Sequence, residues 1–237
     1  MNILGIDTSS MVASMALLSE EKLIAEYTVN NKKTHSEKMM GVLERLFEDS
    51  GILLRDIDAI AVSRGPGSFT GIRIGMATVQ GMAHAAGIPM IGVNTLDGLA
   101  QNLLYGDGLI CPIIDAQRGD VYASLYRFEE GELIRLWDYE IADAGELCER
   151  LSSQGEKVRI LGDGVPVLKS VMKESLGISL AHPVAMMPRG SSVAAVGLKR
   201  YAEGKTEDCF TVEPFYIRKS NAEEKWEERH GAKSLGQ

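Results

Sequence analysis

The sequence predicts an α/β chain built as two tandem lobes that arose by internal duplication. Short apolar runs alternate with helical patterns along most of its 237 residues. Twice, an aspartate closes an apolar run and heads a polar turn, at Ile6-Asp7 and at Ile114-Asp115. The residues beyond each aspartate repeat too. After the first come residues 12–17, Glu20-Glu21 and Leu23-Ile24; after the second come residues 121–126, Glu129-Glu130 and Leu133-Ile134, offset by roughly 110 positions.

The elements run in order along the chain. Residues 3–6 and 13–18 read as buried strands around the turn Asp7-Thr8-Ser9-Ser10, and residues 22–29 as a third strand. Thr34 and Glu37 form a capping box for a helix in which Met39, Met40, Leu43, Leu46 and Phe47 recur at helical spacing before Gly51. Residues 57–63 form another buried strand, leading through a glycine-rich turn into a helix at 70–86 that Gly87 and Pro89 stop. The second half reads as a helix at 143–154, a strand at 158–161 ending in Gly162-Asp163-Gly164, a segment at 166–176 and a helix at 192–203. The boundary falls at Gly106-Asp107-Gly108, giving an N-terminal lobe 1–106 that carries the association helices, a C-terminal lobe 107–220, and a polar tail 221–237 read as mobile or a frayed helix. An aspartate heading a hairpin in each of two α/β halves is the arrangement of the actin/Hsp70-like ATPase (ribonuclease H-like) fold, by analogy.

Composition narrows the function classes. Net charge −8, from 25 Lys+Arg against 33 Asp+Glu, makes a poor stand-alone nucleic-acid ligand, because phosphate binding needs clustered cations. Three separated cysteines and four unpaired histidines point away from disulfides and zinc and toward a reducing, cytoplasmic setting. No run of about 18 apolar residues offers a membrane span.

The densest segment is Ser63-Arg64-Gly65-Pro66-Gly67-Ser68-Phe69-Thr70-Gly71-Ile72-Arg73-Ile74-Gly75. Arg64, Gly65, Gly67, Ser68, Thr70 and Arg73 have the parts of an anion site at a helix N-terminus, and equally those of a tight connection or a partner contact. It is neither a Walker A loop nor a dinucleotide fingerprint. Asp7, Thr8, Ser9 and Asp115 occupy the fold's phosphate-loop positions, but the first turn has no glycine to close on phosphate. From 74 to 86 there is no Asp, Glu, Lys or Arg. A helix without a charged face must be covered all round, either inside the lobe or by a partner. The neighbouring Met39 and Met40 favour an adaptable interface. No catalytic residue and no metal ligand set can be assembled.

Ile6-Asp7-Thr8-Ser9, the 63–75 segment, residues 91–96, Ile114-Asp115-Ala116 and Val121-Tyr122 together resemble the bacterial TsaB (YeaZ) family, and residues 214–218 look like its closing strand. The resemblance spans nearly the whole chain to Arg218. It implies a non-catalytic scaffold in making N6-threonylcarbamoyladenosine at position 37 of tRNAs that read codons beginning with A. In that system the related TsaD carries the metal and transfers the group from threonylcarbamoyl-AMP, and TsaE is a small ATPase. TsaD keeps an H-x-x-x-H pair where this chain has Thr95 and Leu99. The resemblance also implies docking of TsaD, or of a second copy, through the first-lobe helices at 34–50 and 70–86. Met39, Met40, Leu43, Phe47, Ile72, Met76, Val79 and Ala83 are the expected interface residues. ATP or ADP and magnesium are expected only within the complex, with tRNA reached through it. The alternative is a self-sufficient phosphotransferase or ATPase using Asp7 and Asp115; a peptidase has no ligands or nucleophile to sustain it.

Overall fold

The structure, a computed structural model, describes residues 1–30, 35–104, 106–172 and 177–218, without the side chains of 35–38. The capping pair Thr34–Glu37 and the tail beyond 220 therefore lie outside the described residues.

The first sheet starts with β1 (Asn2–Asp7), β2 (Val12–Ser19) and β3 (Leu23–Asn30), an antiparallel meander. After α1 (His35–Ser50), β4 (Ala59–Gly65) joins β1 in parallel. After α2 (Phe69–Ala86), β5 (Met90–Asn94) joins β4, giving the order β3-β2-β1-β4-β5. The fourth strand starts two residues later than the apolar run because a 3-10 turn at Leu54–Asp56 takes up Ile57 as its cap. A short α3 (Thr95–Ala100), which the sequence did not reveal, comes directly after β5, with Asn94 Oδ1 accepting from Leu96 N at 3.0 Å.

The second sheet comprises β6 (Leu109–Asp115), β7 (Asp120–Ala123), β8 (Tyr126–Glu129), β9 (Glu132–Arg135) and β10 (Glu140–Asp143), then α4 (Ala144–Ser152), β11 (Val158–Leu161), α5 (Val165–Val171) and β12 (Ile178–Leu180). Its seven strands fill five positions. β7 and β8 pair with successive halves of β6, and β10 and β9 pair with them in turn. A kink at Leu125, whose carbonyl accepts from Leu136 N at 2.7 Å, interrupts what is one strand in the first lobe. The order then mirrors the first sheet, which is the duplication expected from the repeated Asp-hairpin pattern, in a two-lobed ribonuclease H-like fold.

The last helix of each half covers the sheet of the other. α3 places Leu96 and Leu99 against Ile110, Ile114 and Leu161 of the second sheet. The final helix, α6 (Gly190–Ala202), places Val193, Ala194 and Val196 against Ile3, Ala59, Ala61, Ile91 and Val93 of the first. A cut at 106/107 thus separates the sheets but leaves α6 lying on the sheet of the first half. The opposite face of the first sheet packs Leu4, Ile6, Met15 and Leu17 on α1 and α2. Buried on both faces, β1 and β4 read as continuous apolar runs rather than alternating ones.

The joint at α6 is backbone on backbone. A Cβ on Gly5 would lie 2.2 Å from the Gly190 carbonyl oxygen and 2.5 Å from Ala194 N. One on Gly197 would lie 2.5 Å from the Ala61 methyl. Ser14 Oγ accepts from Gly190 N at 2.9 Å. Glu26 accepts from Ser191 N at 3.0 Å and from Arg189 Nε at 3.1 Å. Burial pushes the Glu26 carboxyl up, but the hydrogen bonds from Arg189 and Ser191 outweigh it and hold it below its ordinary range.

After α6 the chain turns back as a strap. Glu207 exchanges backbone hydrogen bonds with Met90 at 3.0 and 2.8 Å, and Phe215 N donates to the Arg64 carbonyl at 2.7 Å. Residues 214–218, expected as a closing strand, form no strand: beyond the Phe215 hydrogen bond the segment is anchored by side chains. Tyr216 stacks on Phe69 with centroids 4.2 Å apart, and Arg218 donates to the Ala116 carbonyl at 2.9 Å and pairs with Asp120.

Gly5→Ala tests the α6 joint. Its methyl must push two backbones apart, so stability should fall by about 3 kcal/mol. An unchanged urea midpoint would mean that α6 stands further off the sheet than these contacts require.

Candidate functional site

The Asp7 turn and the glycine-rich loop form one unit. Asp7, 1% exposed, accepts from Ser9 N at 3.0 Å and Ser9 Oγ at 2.9 Å, and from Ser63 Oγ on the neighbouring strand. Thr8 Oγ1 donates to the Gly71 carbonyl at 2.8 Å, and Ser68 N donates to the Ser9 carbonyl at 2.7 Å. The glycines allow this seating. A Cβ on Gly71 would lie 2.0 Å from the Thr8 carbonyl oxygen, and one on Gly75 would lie 2.2 Å from Thr8 Oγ1. Gly67, with φ +150°, approaches the Ser9 carbonyl oxygen in the same way. Ser68 Oγ caps α2 by accepting from Gly71 N at 3.3 Å. Three amide donors here, those of Ser9, Ser68 and Gly71, already serve the chain's own oxygens.

The loop's other members point elsewhere. Thr70 is exposed. Arg73 Nε donates to Tyr216 Oη at 3.1 Å, its guanidinium 5.7 Å from the Phe69 ring centroid. Arg64 pairs with Glu207 at 3.4 Å. Gly65 precedes a cis peptide bond to Pro66, and a Cβ on it would meet the Phe215 carbonyl oxygen at 2.3 Å.

Between the lobes lies a cleft of about 360 Å³, bordered by Ser9, Gly67 and Ser68 on one side and Asp115, Gln117 and Arg118 on the other. Asp115 Oδ1 accepts from Gln117 N at 2.7 Å, and Asp115 N donates to Asp163 Oδ1 at 3.2 Å. Burial pushes the Asp163 carboxyl up to about 6, and the negative charges of Asp115 and Asp7 add to this. Gln117 and Arg118 both adopt left-handed backbone, with φ +66° and +62°. Among the described residues no three His, Cys, Asp or Glu side chains are grouped to hold a metal ion. On the first-lobe side of this cleft, Ser68 N is already engaged by the Ser9 carbonyl.

The helix face expected to meet a partner needs correcting. Ile72, Met76, Val79 and Ala83 are at most 2% exposed and pack on Leu4, Ile6 and Met15. Met39 and Leu43 of α1 join the same core. Spacings of three and four correctly gathered these side chains on one face, but that face is the one the sheet buries. The outward face of α2 is Ala77, Gly81, His84 and Ala85, all exposed, with Ile74, Thr78 and Met82 half-buried beside it. Of the eight expected interface residues only Met40, 59% exposed, and half-buried Phe47 remain outward. Nothing lies within 4 Å of a Cβ placed on Gly41 or Gly81.

A cluster at the rear of the joint had no signature in the sequence. Asp97 accepts from Tyr126 Oη at 2.8 Å and Tyr139 Oη at 2.8 Å, and Arg200 Nη2 lies 3.4 Å from it. Its partners are 29, 42 and 103 positions away, so no local spacing could mark them.

Comparison with known proteins identifies the relatives. Residues 22–226 match the family model described as TsaD, tRNA N6-adenosine threonylcarbamoyltransferase. The tRNA threonylcarbamoyladenosine biosynthesis protein TsaB of Bacillus subtilis is 35% identical over 95% of this chain and 98% of its own. Its Escherichia coli namesake is 33% identical over 94% and 96%. The solved structure of YeaZ from Pseudomonas aeruginosa superposes with a TM-score of 0.79 at 24% identity, covering 91% of this chain and 99% of that one. A duplicated Asp-hairpin fold and near full-length similarity to these relatives therefore agree: the chain belongs to the TsaB (YeaZ) family of tRNA threonylcarbamoyladenosine biosynthesis proteins.

Proposed function

We propose that this chain is a non-catalytic docking subunit in forming N6-threonylcarbamoyladenosine at position 37 of tRNAs that read codons beginning with A. It acts in the cytoplasm with TsaD and TsaE, seats TsaD on the outward faces of α1 and α2, and meets tRNA only through that complex. ATP or ADP and magnesium belong to the complex rather than to this chain alone. When free, the chain pairs with a second copy through the same face as an isologous contact.

The supporting observation is the outward face of α2. Residues 74–86 carry no Asp, Glu, Lys or Arg, yet Ala77, Gly81 and Ala85 are exposed, as is Met40 of α1. A helix that stays in water normally shows charge on that side. Small side chains there let another backbone come close, and Met40 supplies an adaptable apolar contact. The closed Asp7 turn favours a docking role over independent phosphoryl chemistry, since Ser9 N already donates to Asp7 and Ser68 N to the Ser9 carbonyl.

Paired substitutions separate docking from folding. Ala77→Glu and Gly81→Glu should leave stability within about 0.5 kcal/mol while weakening binding to TsaD by about 2 kcal/mol, roughly thirtyfold. Threonylcarbamoylation reconstituted with TsaD, TsaE, tRNA and threonylcarbamoyl-AMP should fall in parallel. Full activity with either variant would remove this face from the interface. Met76→Glu, by contrast, should destabilise the isolated chain by about 4 kcal/mol, because it buries a charge beneath the sheet. Calorimetry showing an unchanged Tm would place Met76 outside the core. The isolated chain should bind tRNA weakly, with affinity dropping steeply from about 50 to 200 mM salt. Tight, salt-insensitive binding would overturn the docking role.

A further inference from the structure

Behind the lobe joint, on the side where Asp97 meets the two tyrosines, lies a cavity of about 490 Å³, larger than the cleft. Its walls come from α3 and α6 of the exchanged helices and from the β8–β9 hairpin. That volume and that position between two lobes are those of a small-molecule site. The floor is rigid. Tyr126 and Tyr139 both give their hydroxyl protons to Asp97, and Arg200 also reaches its carboxylate, so the rings are held in place with their polar ends satisfied. Burial, reinforced by the Asp97 charge, pushes both phenols up and keeps the rings neutral. Phe128, Leu133 and Val196 continue the apolar wall.

The rim carries the opposite chemistry. In a chain where acids outnumber bases 33 to 25, four cations line this cavity: Arg135, Lys199, Arg200 and Lys205. Three acids face them, and one of these, Asp97, is committed to the floor. The other two hold exposed pairs, Lys199–Glu132 at 2.9 Å and Lys205–Glu203 at 2.7 Å. Pairs of that kind contribute only about 0–1 kcal/mol, so an incoming anion can replace the carboxylates at little cost. Arg135 is already oriented, its guanidinium 4.1 Å from the Tyr139 ring centroid, and its own carboxylate partner, Asp138 at 3.8 Å, is fully exposed.

We propose that this rear cavity binds a small organic anion with a flat ring, of about mononucleotide size. The ring lies against Phe128 and Leu133, above the buried Tyr126, and the anionic group lies among Lys199, Arg135 and Lys205. The site is separate from the cleft at Asp115 and independent of the docking face.

The test is titration of the full-length chain with AMP, read by calorimetry and by amide shifts, with inorganic phosphate as the ring-free control. AMP should saturate and shift Tyr126, Tyr139 and Lys199. Arg135→Ala and Lys199→Ala, both at exposed rim positions, should each weaken it about tenfold, while Arg118→Ala at the cleft leaves it unchanged. Phosphate should bind at least about tenfold more weakly than AMP. Absence of saturation by AMP overturns the proposal. So does binding that survives both rim substitutions, binding lost in Arg118→Ala, or phosphate binding as tightly as AMP.

Discussion

The rest of the molecule depends on the exchange of α6 and α3 between the lobes. Each helix is the last of its half, and each completes the core of the other half. α6 can do so only because Gly5, Gly190 and Gly197 let its backbone reach van der Waals contact with β1, β2 and β4. Covering both faces of the first sheet turns short apolar strands into a stable layer. Each buried Val of α6 contributes roughly 1.5–3 kcal/mol to that layer. Glu26, Ser14, Arg189 and Ser191 fix where the helix begins, so the exchange has one register.

That constraint explains the glycine-rich loop. With α6 on one face of the first sheet, α1 and α2 must cover the other, and α2 must leave β4 within a few residues. The loop achieves this by laying Gly67, Gly71 and Gly75 against Thr8 and Ser9. In the same stroke the strand-end aspartate is enclosed and the helix N-terminus is capped internally. Residues that resemble a phosphate cradle in one dimension thus become a clasp between the first turn and the second helix.

A clasp at one end and an exchanged helix at the other hold the first lobe as a platform, and the strap at 207–218 ties it to the second lobe through Arg218. Such a body suits a subunit whose contribution is to present a surface. From residue 74 to 86 the exposed side chains of α2 are small apart from His84 and carry no Asp, Glu, Lys or Arg, while Ile72, Met76 and Val79 point inward. The exchanged helices wall the cation-rimmed rear cavity, while the cleft at Asp115 lies between the two Asp turns.

The sequence by itself determined the duplicated α/β order, most strand and helix positions, the Asp7 turn, the glycine loop as a strand-to-helix junction and the family. All of these rest on neighbouring residues, since period, caps and turns are local properties. Which side of α2 is buried was not legible. Ile72, Met76, Val79 and Ala83 form one apolar stripe and Ala77, Gly81 and Ala85 a second uncharged one, and periodicity alone does not say which meets the sheet. Nor was the Asp97 cluster, because its members come from α3, β8, the β9–β10 connection and α6. The broken strands of the second sheet and the placement of α6 on the first also emerged only in three dimensions. Tertiary structure decided these because each depends on how closely backbones distant in sequence can approach, which only the assembled sheets and helices define.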